Sequence, residues 1–175
     1  MQSQGWACQV LIRDWRCLRL RQQCSVLRLL YCEFVVPAKK IQAPISILIG
    51  DANAMVCELL SGAFKRRRGF NVVACAIKMG DFISIAETMA LDVALVGAHL
   101  QDGKGSGLRA VQELRAIRPD TRSIVLLERS EQILISEAFR AGAKGVFFRS
   151  QHDLDVLCKC ISRVHAGQIW ASSAE

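Results

Sequence analysis

The sequence contains no run of about 18 apolar residues that is free of charged side chains. A helix that crosses a bilayer needs at least that length of apolar sequence, so we expect no membrane span. The chain also lacks a C-x-x-C pair, a P-loop, a G-x-G-x-x-G turn after its first strand-like run and a nucleophile elbow. These absences remove the usual signatures of zinc sites, nucleotide sites and serine hydrolases. We therefore expect a protein that is not an enzyme and binds no cofactor.

Positive charge is concentrated at the N-terminus. The formal net charge is +7, of which residues 1–40 supply seven basic and two acidic side chains, a net +5. The remaining residues hold 16 basic and 14 acidic side chains, a net +2. A nearly neutral globular part does not indicate a nucleic-acid-binding surface, so direct DNA binding is not expected.

Residues 1–44 differ from the rest of the chain and are predicted to be a basic extension, disordered or weakly helical. Leu11, Trp15 and Leu18 have helical spacing with arginines between them. Residues 24–36 are mostly apolar but lack the small-residue cleavage pattern of a signal peptide. The alternative is that this segment is upstream DNA translated from a misplaced start codon.

Cysteine is present in eight copies, but its spacing fits no zinc template. A single residue separates Cys158 from Cys160, so on a helix their thiols point to different faces. The four cysteines of the globular part fall at apolar-face positions. We expect them to be buried free thiols in a reducing cytoplasm. The eight divide equally between the N-terminal segment and the globular part: Cys8, Cys17, Cys24 and Cys32, then Cys57, Cys75, Cys158 and Cys160.

From Ile45 onward, short apolar runs alternate five times with helical patterns. This alternation predicts an α/β fold with a parallel five-stranded sheet and helices on both faces. The predicted strands are 45–49, 71–76, 92–97, 123–127 and 144–148. Asn53 and Ser130 are predicted to cap helices. The predicted inward helix positions are Met55, Leu59 and Ala63; Phe82, Ile85, Ala86 and Met89; Val111, Leu114 and Ile117; Ile135, Ala138 and Phe139; and Leu154, Leu157, Cys158, Ile161 and Val164.

The strand at 92–97 is predicted to be the central strand of this sheet. It is a short apolar run introduced by an acid and closed by Gly97, which is typical of a strand buried on both faces. Ligand sites of such sheets lie at the carboxyl ends of the strands. The residues expected at that edge are Asp51 and Ala52, Gly97 with Ala98 and His99, Leu127 and Glu128, and Arg149 and Ser150.

The stretch from Ile45 to about Ser172 resembles the receiver domain of bacterial two-component response regulators, above all receivers that precede a LuxR-type helix-turn-helix. The resemblance rests on Ile47–Asp51, Asp92–Val96, Gly107-Leu108, Arg118–Thr121, Ala138–Gly145, His165–Gly167 and Trp170. It implies a flavodoxin-like, doubly wound (βα)5 three-layer sandwich with strand order 2-1-3-4-5. The receiver-like domain would span 45–170. Residues 171–175 would be a stub where a linker to an output domain begins.

Active receivers, by this resemblance, transfer a phosphoryl group to an aspartate that ends the third strand. Two acids after the first strand hold magnesium, while a hydroxyl and a lysine after the fourth and fifth strands bind the phosphoryl oxygens. This sequence departs at nearly every position. The nucleophile position is Gly97, the acidic pair is reduced to Asp51 beside Ala52, the hydroxyl position is Leu127, and the lysine position is Arg149. We therefore predict a degenerate phosphorylation pocket without a metal.

Four residues near this pocket have competing interpretations. Asp102, in the loop after the third strand, is a candidate displaced phosphoryl acceptor or an ordinary loop residue. His99 is a candidate ligand or base, although a single loop histidine without a partner at motif spacing is more often simply exposed. Asp51 and Arg149 are expected to be close, either as a fixed salt bridge that mimics one signalling state or as a solvated contact of up to about 1 kcal/mol.

The leading functional hypothesis is a receiver-like module that acts by protein–protein contact or dimerisation. The resemblance implies an interaction face on the fourth helix, fifth strand and fifth helix, with a homodimer partner, another protein or a sensor kinase. The alternative is a truncated LuxR-type transcription regulator that lacks its DNA-binding half. The residues expected on this face are Ile133, Phe139, Arg140, Phe147, Lys159 and Arg163.

Overall fold

The computed structural model describes residues 43–171, which form a six-stranded parallel sheet with five helices. The predicted extension at 1–44 lies outside this range except for its last two residues, and so does the stub at 171–175 except for its first. The strands are β1 Ile45–Gly50, β2 Phe70–Ala76, β3 Val93–Gly97, β4 Arg122–Leu127, β5 Gly145–Phe148 and β6 Trp170–Ala171. The helices are α1 Ala54–Lys65, α2 Met79–Thr88, α3 Ser106–Ile117, α4 Gln132–Ala141 and α5 Leu154–His165.

The strand order is β2-β1-β3-β4-β5-β6, so the predicted order of the first five strands is confirmed. The sixth strand was not predicted. Trp170 and Ala171 pair with Gly145 and Val146, and the Trp170 amide donates to the Lys144 carbonyl at 3.0 Å. Two residues are too short for a periodic apolar pattern, so this addition has no sequence signal.

The central strand β3 is buried along its whole length, as predicted. It begins one residue later than expected because Asp92 lies outside the ladder. The Asp92 carboxylate accepts a hydrogen bond from the Ser46 amide at 2.8 Å, and the Asp92 amide donates to the Ser46 carbonyl at 3.0 Å. Asp92 thereby fixes the start of β3 against the start of β1.

Two apolar layers cover the two faces of the sheet, which confirms the three-layer sandwich. Successive strand residues point to opposite faces, and both sets are apolar here. One layer packs Leu48 and Val96 against α2, α3 and α4. The other packs Ile49 and Leu95 against α1 and α5, with Phe64 as a fully buried anchor.

The predicted inward face of α1 was wrong. Met55 and Leu59 are 66% and 65% exposed, whereas Cys57 and Phe64 are buried. Residues 57 and 64 are two turns apart, so they share one stripe, and the large ring of Phe64 sets which stripe faces the core. Two other predicted inward residues, Met89 and Ile117, are also exposed, at 43% and 39%. Ile117 is the last residue of α3, and Met89 is the residue that follows α2.

Helix starts were predicted with mixed success. Asn53 caps α1, because its side chain accepts from the Met55 amide at 2.9 Å. The proposed cap Ser130 was wrong, since α4 is preceded by Glu131, whose side chain makes no capping bond. Helix α3 begins at Ser106, one residue before Gly107, where the sequence pattern predicts its start. Within residues 43–171, no helix combines the length and apolar character needed to cross a membrane.

Candidate functional site

The carboxyl ends of β1, β3, β4 and β5 meet at one edge of the sheet. The register aligns Gly50 with Val96, Gly97 with Leu126, and Leu127 with Phe148. The loops that follow therefore start at the same level. The structure brings all five predicted pocket residues together along one cavity of about 300 Å³: Asp51, Ala52, Gly97, Leu127 and Arg149.

An ion pair between Asp51 and Arg149 dominates this cavity. Arg149 Nη2 donates to Asp51 Oδ2, and the amide of Asn53 donates to Asp51 Oδ1 at 2.9 Å. Arg149 Nη1 also lies 3.4 Å from Glu128 Oε1. Asp51 is 5% exposed, so its carboxylate depends on these donors in place of water. The pair is therefore not the fully solvated contact that was one of the two expectations.

Gly97 lies directly against this ion pair. A Cβ atom at position 97 would lie 3.1 Å from Arg149 Nη2 and 3.1 Å from Asp51 Oδ2. Both atoms belong to side-chain ends, which can move more easily than backbone. The space beside Gly97, where the resemblance implies an acceptor side chain, is thus closed by the Asp51–Arg149 pair.

Leu127 makes the β4 side of the cavity apolar. It is 2% exposed and packs in the core layer with Phe148 and Val125. It offers no hydroxyl to an incoming oxyanion. The nearest serine past β5 is Ser150, whose hydroxyl donates to the Glu128 carbonyl at 2.5 Å.

The residues present do not fit the magnesium ion that active receivers use. Mg²⁺ needs near-octahedral oxygen ligands, of which carboxylates supply one or two. Both oxygens of Asp51 already accept hydrogen bonds, and Ala52 and Gly97 have no side-chain oxygen. The other carboxylates that line the cavity, Glu128 and Glu131, are exposed on its rim. No group of three or more potential metal ligands occurs among residues 43–171.

The loop between β3 and α3 is held by its own polar side chains. His99 is exposed, and its Nδ1 atom accepts from the Gly105 amide at 2.9 Å. The carboxylate of Asp102 accepts from the Met79 amide at 2.6 Å and so satisfies the first turn of α2. Ser106 is fully buried and bonds Leu100 and Gly103 across the loop. Sequence reasoning did not identify this role of Ser106, because in the sequence the residue looks like an ordinary loop serine.

These contacts bear on the two interpretations of Asp102. Its carboxylate is directed to the start of α2, and the residue does not line the cavity. The arrangement favours the ordinary loop residue, and the displaced acceptor stays an untested hypothesis. The position of the Asp102 side chain depends on how the loop folds, and the length of the loop in the sequence does not predict that.

The predicted interaction face is only partly a surface. Ile133 is 71% exposed, and Arg140, Lys159 and Arg163 are exposed as well. Phe139 is half-buried against the core. Phe147 was wrongly placed on this face: it is 3% exposed and packs in the α1/α5 layer with Leu126 and Leu157. Phe147 belongs to β5, a strand that is buried on both faces, so its side chain packs between the sheet and the helices that cover it.

The cysteine prediction holds for three of the four described thiols. Cys57, Cys158 and Cys160 are free and buried, whereas Cys75 is free and exposed. Cys75 lies on β2, the edge strand of the sheet. The apolar character of β2 did not reveal that its outer positions reach solvent.

Comparison with solved structures finds response-regulator receiver domains. A two-component response regulator of the LuxR family from Aurantimonas sp. SI85-9A1 is 25% identical, with 73% of this chain and 89% of that chain covered and a TM-score of 0.67. The non-phosphorylated receiver domain of the stress response regulator RcsB from Escherichia coli is 16% identical, covers 74% and 99%, and has a TM-score of 0.66. A CheY-like receiver domain protein from Methanospirillum hungatei JF-1 is 20% identical, covers 72% and 97%, and has a TM-score of 0.61.

No protein-family model and no curated protein matches the sequence. The structural neighbours nevertheless agree with the resemblance carried by the sequence motifs. Residues 43–171 have the flavodoxin-like fold of receiver domains.

Proposed function

We propose that this chain is a receiver-like signalling module of a two-component response regulator that is not phosphorylated at position 97. It acts in the cytoplasm, by contact with a protein partner or a second copy of itself, and not as an enzyme. The observation that carries the proposal is the Asp51–Arg149 ion pair closed over Gly97.

Phosphoryl transfer to a receiver requires a carboxylate nucleophile at the end of β3. Glycine has none, and the neighbouring positions do not replace the missing groups. Leu127 has no hydroxyl, and the only carboxylate at the acidic position, Asp51, is neutralised by Arg149. Without nucleophile, cation and hydroxyl, the developing charge of the transition state would have no stabilising partner.

The ion pair also supports a fixed signalling state. In a switching receiver, the charge at this edge changes when the phosphoryl group arrives or leaves. Here Arg149 has a permanent carboxylate partner, so no such change is available. The surface that binds the partner is then either exposed at all times or controlled by something other than phosphorylation.

Treatment with small phosphodonors tests the proposal. The purified chain is incubated with acetyl phosphate and magnesium, and its intact mass is measured at once. We expect no mass increase by a phosphoryl group, and no stable adduct with beryllofluoride. A phosphoryl group mapped to any residue lining the cavity would contradict the proposal.

A matched variant shows that the assay can detect phosphorylation on this scaffold. It carries the four substitutions Ala52→Asp, Gly97→Asp, Leu127→Thr and Arg149→Lys. The two atoms nearest to a Cβ at position 97 are side-chain ends that can move, and Arg149→Lys shortens one of them; the backbone oxygen of His99 lies at 3.4 Å, close to an ordinary contact distance. We expect this variant to gain the phosphoryl mass that the parent chain lacks.

The alternative, a piece of a LuxR-type transcription regulator, is favoured by one finding. The Aurantimonas protein, to which this chain is 25% identical, is a response regulator of the LuxR family. In that case, adding a DNA-binding output domain after residue 175 would yield a protein that shifts duplex DNA in a salt-dependent manner. Residues 41–175 without such a domain, with a net charge of only +2, would leave the DNA unshifted.

A further inference from the structure

Two cysteines from neighbouring elements meet behind the candidate pocket. Cys57 lies on α1 and Cys75 on β2. The Cys75 thiol donates to the Cys57 carbonyl, with 3.7 Å between sulfur and oxygen. The Cys57 thiol in turn donates to the carbonyl of Asp51, at 3.9 Å. The Cys75 sulfur therefore lies against Cys57 itself, and the two thiols form one hydrogen-bonded chain that runs from Cys75 through Cys57 to Asp51.

One of the two thiols is reachable from solvent. Both line a cavity of about 570 Å³ together with Glu58, Asp81 and Ser84. Cys75 is exposed, while Cys57 is 3% exposed behind it. The cavity has room for a small thiol reagent that meets Cys75 before Cys57.

Protonation makes both thiols slow nucleophiles. Burial raises the pKa of Cys57 to about 11, with further increases from Cys75 and Asp51 nearby. Burial also raises the pKa of Cys75 above its ordinary value. The thiolate is the reacting species, so exchange at this pair is slow at neutral pH and accelerates as the pH rises.

We propose that Cys57 and Cys75 form a dithiol site that a low-molecular-weight disulfide oxidises to an intramolecular disulfide. The Cys75 thiolate attacks one sulfur of the reagent, forms a mixed disulfide and releases one thiol. The Cys57 thiolate then attacks the Cys75 sulfur of that mixed disulfide and releases the second thiol. The protein loses two electrons and two protons, and the reagent gains both in becoming two thiols.

The site is linked to the candidate pocket through the backbone. Forming the disulfide removes the proton that the Cys57 thiol shares with the Asp51 carbonyl, and it joins α1 to the edge strand. The carboxylate of Asp51 is the partner of Arg149. Oxidation therefore removes a hydrogen bond to the backbone of Asp51, the residue that closes the pocket together with Arg149. This consequence does not depend on the proposed receiver function.

Peptide mapping tests the proposal on the full chain. The protein is incubated under native conditions with oxidised glutathione, its remaining thiols are alkylated, and it is digested with trypsin. Cys57 lies in the tryptic peptide 41–65 and Cys75 in the separate peptide 69–78. We expect these two peptides to be recovered as one disulfide-linked species that dithiothreitol separates. Its rate of formation should rise about tenfold per pH unit below the thiol pKa values.

Single substitutions test the order of the steps. Cys57→Ala should trap the glutathione mixed disulfide on Cys75, because the second thiol is missing. Cys75→Ala should leave Cys57 unmodified, because its thiol is shielded. The matched control is Cys158→Ala, which removes a buried thiol of α5 and should leave the linked species unchanged.

Three outcomes would overturn the proposal. The first is wild-type protein in which Cys75 carries glutathione but the linked species never forms. The second is preferential linkage of Cys75 to a cysteine other than Cys57. The third is a rate of formation that does not change with pH. The wild-type measurement decides the first two without relying on any variant to fold.

Discussion

At the scale of single residues, the Asp51–Arg149 pair is the feature on which the site depends. Asp51 is 5% exposed, whereas the Arg149 side chain is 22% exposed and extends to Glu128 on the rim. Removing Arg149 should therefore cost more stability than removing Asp51. A charge left without its partner is more costly when it cannot reach water.

We expect Arg149→Met to lower the free energy of unfolding by about 2–4 kcal/mol, because it leaves the Asp51 carboxylate buried without its cation. Asp51→Asn should cost less, about 1–2 kcal/mol, since the amide oxygen can still accept from Asn53 and Arg149 keeps access to solvent. Urea denaturation of the two single variants and the double variant gives the coupling energy between the positions.

The exposed ion pair between Arg67 and Asp155 is the matched control. Its side chains are 38% and 62% exposed, so Arg67→Met should change stability far less than Arg149→Met. If Arg149→Met were as mild as Arg67→Met, the pocket pair would be an ordinary surface contact. The fixed signalling state would then lose its support.

The sequence alone was enough to predict which residues line this pocket. Asp51, Gly97, Leu127 and Arg149 could be placed at one edge because each follows or ends a strand of a recognisable pattern. That Arg149 fills the space beside Gly97 could not be predicted, since it depends on the rotamer of a long side chain. The contact between Cys57 and Cys75 was missed for a similar reason: their separation in sequence carries no pairing signal.

At the scale of elements, the junction between β3 and α3 leaves no room for a side chain at Gly107. Gly107 lies in the first turn of α3, and a Cβ built there would lie 1.8 Å from the Gly97 carbonyl oxygen. It would also lie 2.9 Å from the Gly97 carbonyl carbon. These are backbone atoms of the central strand and cannot move aside as a side chain could. Helix α3 can approach the strand only because position 107 has no side chain.

We expect Gly107→Ala to lower the free energy of unfolding by about 3 kcal/mol or more, because the helix must shift away from the buried strand. The control is Gly62→Ala in α1, where the added Cβ has no neighbour within 4 Å. That change should raise stability by up to about 1 kcal/mol, the difference in helix propensity. Thermal or urea unfolding measures both. Equal effects of the two variants would mean that α3 is free to move relative to β3.

Elements were predicted more reliably than the faces they bury. Every predicted strand and helix in residues 43–171 exists, because apolar runs and glycine stops fix the alternation. The inward face of α1 was wrong because Met55 and Leu59 are as apolar as the residues one stripe away. Only packing against β1 and β2 selects Phe64. Strand β6 was missed because it is defined by pairing with β5, a non-local property.

At the scale of the whole molecule, two of the exposed apolar sites among residues 43–171 are candidate contact surfaces. One is Ile133 on α4, the helix that also carries Arg140 of the predicted interaction face. The other is the α1 stripe of Met55 and Leu59, which the structure exposes contrary to expectation. Large exposed apolar side chains that lie together are a common mark of protein contact surfaces.

We expect the full chain to form a concentration-dependent dimer through the α4 face, which sedimentation velocity can measure. A two-fold dimer buries each contact residue twice, so Ile133→Glu places two charges in the interface and should shift the protein to monomer. The paired change Met55→Glu with Leu59→Glu should leave the dimer intact. Because Arg140 on α4 and Lys159 and Arg163 on α5 carry like charge on the predicted interaction face, added salt should strengthen the association.

The reverse pattern would assign the contact to α1: monomer from the Met55 and Leu59 changes, and dimer retained with Ile133→Glu. That result would also connect the interface to the dithiol, since Cys57 lies on the same helix between the two exposed residues. A strict monomer at the highest concentration would exclude self-association. The basic α4 face would then require a different protein, with acidic side chains opposite Arg140 and Lys159, and lower salt would strengthen that contact.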